Sequence, residues 1–217
     1  MAEDGINRLK QHVDTLLAIP EDIPLPNARG YRDVLERCVG QIVRDAGGHT
    51  MVLFTSHAAL RAARQTLIRT VENSGITVLA QGVDGPPYRL MRRFAENPRS
   101  VLLGTSSFWE GVDMPSGDTK VLILARLPFN VPTEPVFAAR SEQYEDPFRE
   151  FAVPQAVLRF RQGFGRLIRN AQDRGAVVVL DRRVLNGYYG RYFLDALPDC
   201  TTKIGPMASI VESVKRW

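Results

Sequence analysis

The chain has 217 residues, 28 Lys plus Arg against 24 Asp plus Glu, a formal net charge of +4 and 44% hydrophobic residues. That length fits one globular domain with additions, and the ordinary composition excludes collagen-like and disordered classes. No apolar run approaches a membrane span and the polar N-terminus has no apolar signal region, so the chain is expected to be soluble and cytoplasmic, with no membrane partner.

In chain order, residues 1–30 read as a lead-in segment. Ile6, Leu9, Val13, Leu16 and Leu17 recur at helical spacing, and the prolines at 20, 24 and 26 stop any such helix. The pattern then predicts a helix over 31–46 ended by Gly47-Gly48, a strand over 51–54 and a helix over 57–73. A strand over 76–80, a helix over 87–96 and strands over 101–104 and 120–125 follow. Helical segments reach to about 170, before a strand over 176–180 and a helix near 187–196. Residues 201–217 form a tail with no assigned element. Apolar strands alternating with amphipathic helices predict an α/β domain over 31–200, with a mainly parallel sheet covered on both faces.

In such a sheet, ligands bind beyond the carboxyl ends of the strands. The loops at Thr55-Ser56, at 81–87, at 104–117 and at 126–135 are therefore expected to share one edge. Thr55 or Ser56 either caps the following helix or, with its free N–H groups, takes a phosphate. His57 reads as an ordinary first-turn residue. Thr105, Ser106 and Ser107 offer hydroxyls to backbone phosphates of a nucleic acid. Phe108 and Trp109 either stack bases or fill the core, with at least one expected in the core. Glu110 and Asp113 either orient an arginine or ribose hydroxyl or form a solvated acidic turn.

The densest stretch is 155–181. As a helix it places Val157, Phe160, Phe164, Leu167 and Ile168 on one side, with Arg159, Gln162, Arg166 and Arg169 opposite. The polar stripe is either a solvated face or a row of guanidinium groups suited to phosphate. Gly163 and Gly165 inside that helix would each cost about 1 kcal/mol against alanine, which suggests a close approach by a backbone or ligand. Cys38 and Cys200 lie too far apart for a CxxC pair and are too few for a metal or iron–sulfur centre. They read as two free thiols of an intracellular protein, with one disulfide as the other arrangement.

Three stretches together carry a resemblance: Phe108-Trp109-Glu110-Gly111-Val112-Asp113, Arg126-Leu127-Pro128-Phe129 with Pro132 and Pro135, and Gln162-Gly163-Phe164-Gly165-Arg166-Leu167-Ile168-Arg169. In this order and spacing they resemble the DinG branch of the XPD/DinG superfamily 2 helicases. Phe54-Thr55-Ser56 is similar to the motif that opens the second helicase domain, and Gln81-Gly82 to a pair common at that place.

The resemblance implies a RecA-like three-layer domain, the second of two motor domains. It implies ATP and Mg²⁺ held mainly by the first motor domain, single-stranded DNA as the track, and catalytic roles for Arg166, Arg169 and Gln162. Glu110, Gly111 and Asp113 would form the nucleotide-coupling motif, and Thr55, Ser56, Thr105, Ser106 and Ser107 would line the strand. No phosphate loop of the GxxxxGK type, no DEAH-like box and no cysteine set for an iron–sulfur cluster occurs in the chain. The chain is therefore expected to be a domain of a longer helicase that hydrolyses no ATP alone. A non-enzymatic nucleic-acid-binding module with the same fold is the alternative, and a doubly wound nucleotide-binding enzyme is disfavoured by the lack of a GxGxxG fingerprint.

Overall fold

A computed structural model describes residues 14–105, 108, 119–165, 167 and 174–217. Its centre is a sheet of seven strands: β1 (Thr15–Pro20), β2 (Thr50–Leu53), β3 (Thr77–Ala80), β4 (Ser100–Gly104), β5 (Val121–Leu124), β6 (Gly175–Val179) and β7 (Thr201–Gly205). The spatial order is β3-β4-β2-β5-β6-β1-β7, and every pairing is parallel. Helices α1 (Tyr31–Ala46), α2 (His57–Val71) and α8 (Met207–Arg216) supply the core of one face. Helices α3 (Pro87–Glu96), α5 (Val153–Phe164), α6 (Arg183–Asn186) and α7 (Gly190–Asp195) supply the other. Helix α4 (Pro135–Ser141) precedes a π-helical turn, Phe148–Ala152, that runs into α5. Pro154 in the first turn of α5 has no N–H to give to the preceding carbonyls, and the ladder widens just before it.

The period of two in each strand divides the core. Leu16, Ala18, Val52 and Val178 point to the α1 face, while Leu17, Ile19, Met51, Leu53, Val177 and Val179 point to the α5 face. Full burial of one such side chain stabilises by about 1.5–3 kcal/mol. The caps follow the sequence: Gly47, at φ 72°, takes the left-handed position that ends α1 and donates to the Arg44 carbonyl, and Pro87 opens α3. Cys38 is buried and Cys200 half-buried, both as free thiols. Burial pushes the Cys38 thiol up to about 11.

Two segments differ from expectation. Leu16 and Leu17 lie in β1 rather than in a helix, and β1 sits between β6 and β7, with Ala18 opposite Val178 and Leu16 opposite Thr201. A strand buried on both faces is a continuous apolar run, which helical spacing also accommodates; sheet pairing decides. The tail supplies β7 and α8, whose Ile210, Val211 and Val214 are buried. Thus two strands of the sheet come from outside the 31–200 span. The helix expected near 187–196 forms as the shorter α7, Gly190–Asp195, and a separate one-turn helix, α6, precedes it across Gly187. Among the described residues, no helix is long and apolar enough to cross a membrane.

Because all strands are parallel, their carboxyl ends form one edge. The chain runs from β2 out to β3 and back to β4 on one side, then crosses to β5 and β6 on the other. That reversal beside β2 is where ligands collect in open parallel sheets.

Candidate nucleic-acid edge and nucleotide-facing helix

Three adjacent strand ends bring the predicted polar loops together. The Phe54 N–H donates to the Gly104 carbonyl at 2.8 Å, and the Gln81 N–H to the Leu103 carbonyl at 3.0 Å. This alignment sets Thr55, Gln81 and Thr105 side by side. Thr55 and Ser56 are exposed. Ser56 has extended backbone and its Oγ accepts from the Ala59 N–H at 3.2 Å, so it caps α2 while its own hydroxyl proton remains available.

Thr105 behaves differently from a strand-lining residue. It is 2% exposed. Its N–H and hydroxyl both donate to Gln81 Oε1, at 2.7 and 2.9 Å, and its Oγ1 lies 3.3 Å from His57 Nε2. With its proton given to Gln81, Thr105 Oγ1 accepts from an Nε2–H of His57. Thr105 therefore ties three loops together instead of presenting its hydroxyl outward. Phe108 is core, 1% exposed, with its ring packed on Gly104 so closely that an added Cβ there would lie 2.7 Å from it.

Farther along the same edge, Arg126-Leu127-Pro128-Phe129 forms a clasp. The Arg126 guanidinium donates to the Pro26 carbonyl at 2.8 Å and lies 4.9 Å from the Tyr31 ring centroid. The Leu127 N–H donates to Asp181 Oδ2 at 3.0 Å. Phe129 joins Phe148, Tyr189 and Phe193 with ring centroids 5.5–5.8 Å apart. Asp181 is fully buried and also accepts from the Arg183 N–H at 3.1 Å and its guanidinium at 2.6 Å. The Tyr31 hydroxyl sits 2.5 Å from the Ala125 carbonyl and 2.9 Å from that of Leu180, bridging β5 and β6. Burial, reinforced by the Asp181 charge, holds the Tyr31 phenol well above the ordinary tyrosine range.

Helix α5 leads away from this edge. Phe160 and Phe164 are buried, while Gln162 is exposed in its last turn. Arg159 is partly buried and donates to the Asn130 side chain, so it is not part of an open row. Gly165 is not in the helix interior: it is the C-cap, its N–H bonds the Arg161 carbonyl at 2.9 Å, and an added Cβ would meet only ordinary contacts at 3.5 Å. Leu167 packs against Gly175, whose absent Cβ would lie 2.9 Å from Leu167 Cδ1 and 2.8 Å from the Lys120 carbonyl. Lys120 and Gly175 stand at the starts of β5 and β6. The end of α5 thus lies at the amino edge of the sheet, opposite Thr55 and Thr105.

Comparison with known proteins follows the same outline. A family model described as a helicase C-terminal domain matches residues 39–200. The chain belongs to this helicase C-terminal domain family, in its DinG-like branch. It is 46% identical over 197 residues to a protein of Bacillus subtilis strain 168 named 3'-5' exonuclease DinG, covering 87% of this chain and 21% of that one. It is 36% identical over 187 residues to ATP-dependent DNA helicase YoaA of Escherichia coli K12, covering 84% and 29%. The S. tokodaii Xpd4 structure superposes with a TM-score of 0.63 at 16% identity, over 88% of this chain and 39% of that chain. The helicase C-terminal domain is thus a three-layer RecA-like fold, and the chain spans between a fifth and a third of these curated relatives.

Of the expected site residues in this helicase domain, Thr55, Ser56, Thr105 and Gln162 are described; Ser106, Ser107, Glu110, Gly111, Asp113, Arg166 and Arg169 lie outside the described residues. Thr55, Ser56 and Thr105 come together at the carboxyl edge, and Gln162 lies apart at the amino edge. Sequence reasoning took His57 for an ordinary first-turn residue, although it meets Thr105, and gave no role to Asp181, Arg183 or Tyr31. A buried aspartate two residues before an arginine at a strand end was the available signal, and only the fold shows that Tyr31 reaches it.

Proposed function

We propose that the chain is the second motor domain of an ATP-dependent, DinG-like DNA helicase. ATP with Mg²⁺ is held by the first RecA-like motor domain of the same protein, and Arg166 and Arg169, beside Gln162, reach its phosphates. Guanidinium groups there stabilise charge on the transferring phosphoryl group. Single-stranded DNA crosses the carboxyl edge, where Thr55 and Ser56 with Ser106 and Ser107 contact its phosphates and Thr105 holds their loops. Glu110, Gly111 and Asp113 couple the two sites. The isolated chain hydrolyses no ATP because it carries no phosphate loop.

What supports this reading is that, among the described residues, Gln162 and the end of α5 lie at the opposite edge of the sheet from Thr55 and Ser56. Closure on a nucleotide at one edge then moves the other edge as a rigid body. The test is Arg166→Ala in the full-length protein, read by ATP turnover and by binding of oligo-dT. Turnover should fall by about 10³-fold, the scale of an arginine finger, with binding to oligo-dT retained. Turnover that survives the change sinks the finger assignment.

A further inference from the structure

Beyond β3, the outer strand of the sheet, α3 and one stripe of α2 form a basic ledge that continues the carboxyl edge. His57, Arg61 and Arg64 recur on one side of α2 at helical spacing. His57 meets Thr105, and Arg64 meets the loop after β3, so this stripe faces that loop. The loop is fixed. Asp84 Oδ2 accepts from the Ala80 N–H at 2.9 Å, and its carboxylate takes Arg64 through Nε at 3.3 Å and a terminal nitrogen at 3.1 Å. Arg93 reaches the Asp84 carbonyl at 3.4 Å, and the Arg89 side chain passes 3.6 Å from where a Gly85 Cβ would lie.

Arg64 neutralises Asp84, and Arg92 pairs with Glu96 at 3.4 Å. Arg61, Arg89 and Arg93 are exposed and have no carboxylate within ion-pair distance among the described residues. Tyr88, next to Arg89 at the start of α3, is 69% exposed. Leu90, Met91 and Phe94 anchor the opposite face of α3 in the core, so Tyr88 is held on a rigid helix. A tyrosine ring left in water on a helix with two excess guanidinium groups, with Arg61 on the neighbouring helix, matches the needs of a single strand: a flat face for a base and donors for phosphates.

We propose that this ledge carries single-stranded nucleic acid outward from the strand-end loops, with a base stacked on Tyr88 and phosphates on Arg61, Arg89 and Arg93. The inference rests on the reading of the carboxyl edge as a nucleic-acid track.

The experiment is a fluorescence-anisotropy titration of this chain with labelled dT20 across a salt series, for wild type, Arg89→Ala/Arg93→Ala, Arg89→Lys/Arg93→Lys and Tyr88→Ala. All three positions are exposed, and equal melting temperatures check the fold. Losing two phosphate contacts should lower the slope of log affinity against log salt by about 1.4 and weaken binding roughly tenfold at low salt. The lysine pair should keep the slope. Tyr88→Ala should lose about fivefold or more with the slope unchanged, because stacking releases no counterions. Wild-type binding with unchanged slopes in the alanine pair overturns the ledge and leaves the strand-end track standing. Losses seen on a blunt hairpin but not on dT20 overturn the single-strand assignment. Failure of the wild type to bind dT20 overturns both readings.

Discussion

Asp181→Ala is the sharpest probe of how the carboxyl edge is held. The carboxylate is fully buried and gathers three donors from two loops: the Leu127 N–H, the Arg183 N–H and the Arg183 guanidinium. Leu127 is 2% exposed, so its N–H cannot turn to water. An unsatisfied buried donor of this kind costs about 1–3 kcal/mol. The Arg183 side chain is 32% exposed and keeps much of its hydration, so its lost pairing adds less than about 1 kcal/mol. With the Arg183 N–H only partly buried, the whole change is expected to destabilise by about 3 kcal/mol. For a domain of this size that lowers the melting temperature by roughly 6–12 °C.

Urea unfolding of the chain, followed by circular dichroism, measures it. Arg183→Ala leaves the buried carboxylate with backbone donors only, and the double variant should cost less than the two single changes added. A loss below about 0.5 kcal/mol for Asp181→Ala, or strict additivity in the cycle, would refute the view that this carboxylate locks the two loops.

The Tyr31 phenol is raised by burial and by the Asp181 charge, so the native state keeps a proton that the unfolded chain releases from about pH 10. The stability it contributes is whole below that pH and falls as pH rises toward the folded value. Tyr31→Phe should cost about 1–2 kcal/mol at pH 7 and progressively less from pH 10 to 11, in urea titrations at each pH; a constant difference would contradict the linkage. Gly190→Ala would set a Cβ 2.2 Å from the Val184 carbonyl oxygen, a backbone atom that cannot yield. It should destabilise by about 3 kcal/mol, whereas Gly165→Ala, with 3.5 Å clearances and right-handed φ, should be neutral or stabilise by up to about 1 kcal/mol. Thermal melts of the two alanine variants check the contrast, and equal melting temperatures would refute it.

The alternating part of the fold was legible because each element carries its own local signal. Residues 31–46 and 87–96 are amphipathic at helical spacing, with Gly47 and Pro87 as punctuation, and these helices form over those residues. Strands β2 to β6 are short apolar runs between turn residues, and their expected positions hold to within about one residue. The expected grouping of the loops after β2, β3 and β4 on one edge follows from parallel topology alone. The helicase family was legible too, from motif order and spacing.

The remainder depended on distant partners. Nothing near Leu16 and Leu17 says whether the run is helix or strand; the vacancy between β6 and β7 decides it. The β7 sequence Thr201-Thr202-Lys203 is mostly exposed, as an edge strand must be to deter further pairing, and so carries no apolar signature. Thr105 read as a surface hydroxyl, yet it is buried because Gln81 and His57, from two other loops, satisfy it. Tyr31 and Asp181 belong to one network only because the sheet places β5 and β6 side by side beneath α1. By itself the sequence determined the elements with local periodicity, the order of motifs and the family. Tertiary structure decided which polar groups are consumed in holding the loops, because hydrogen-bond satisfaction in a core depends on neighbours far away in the chain.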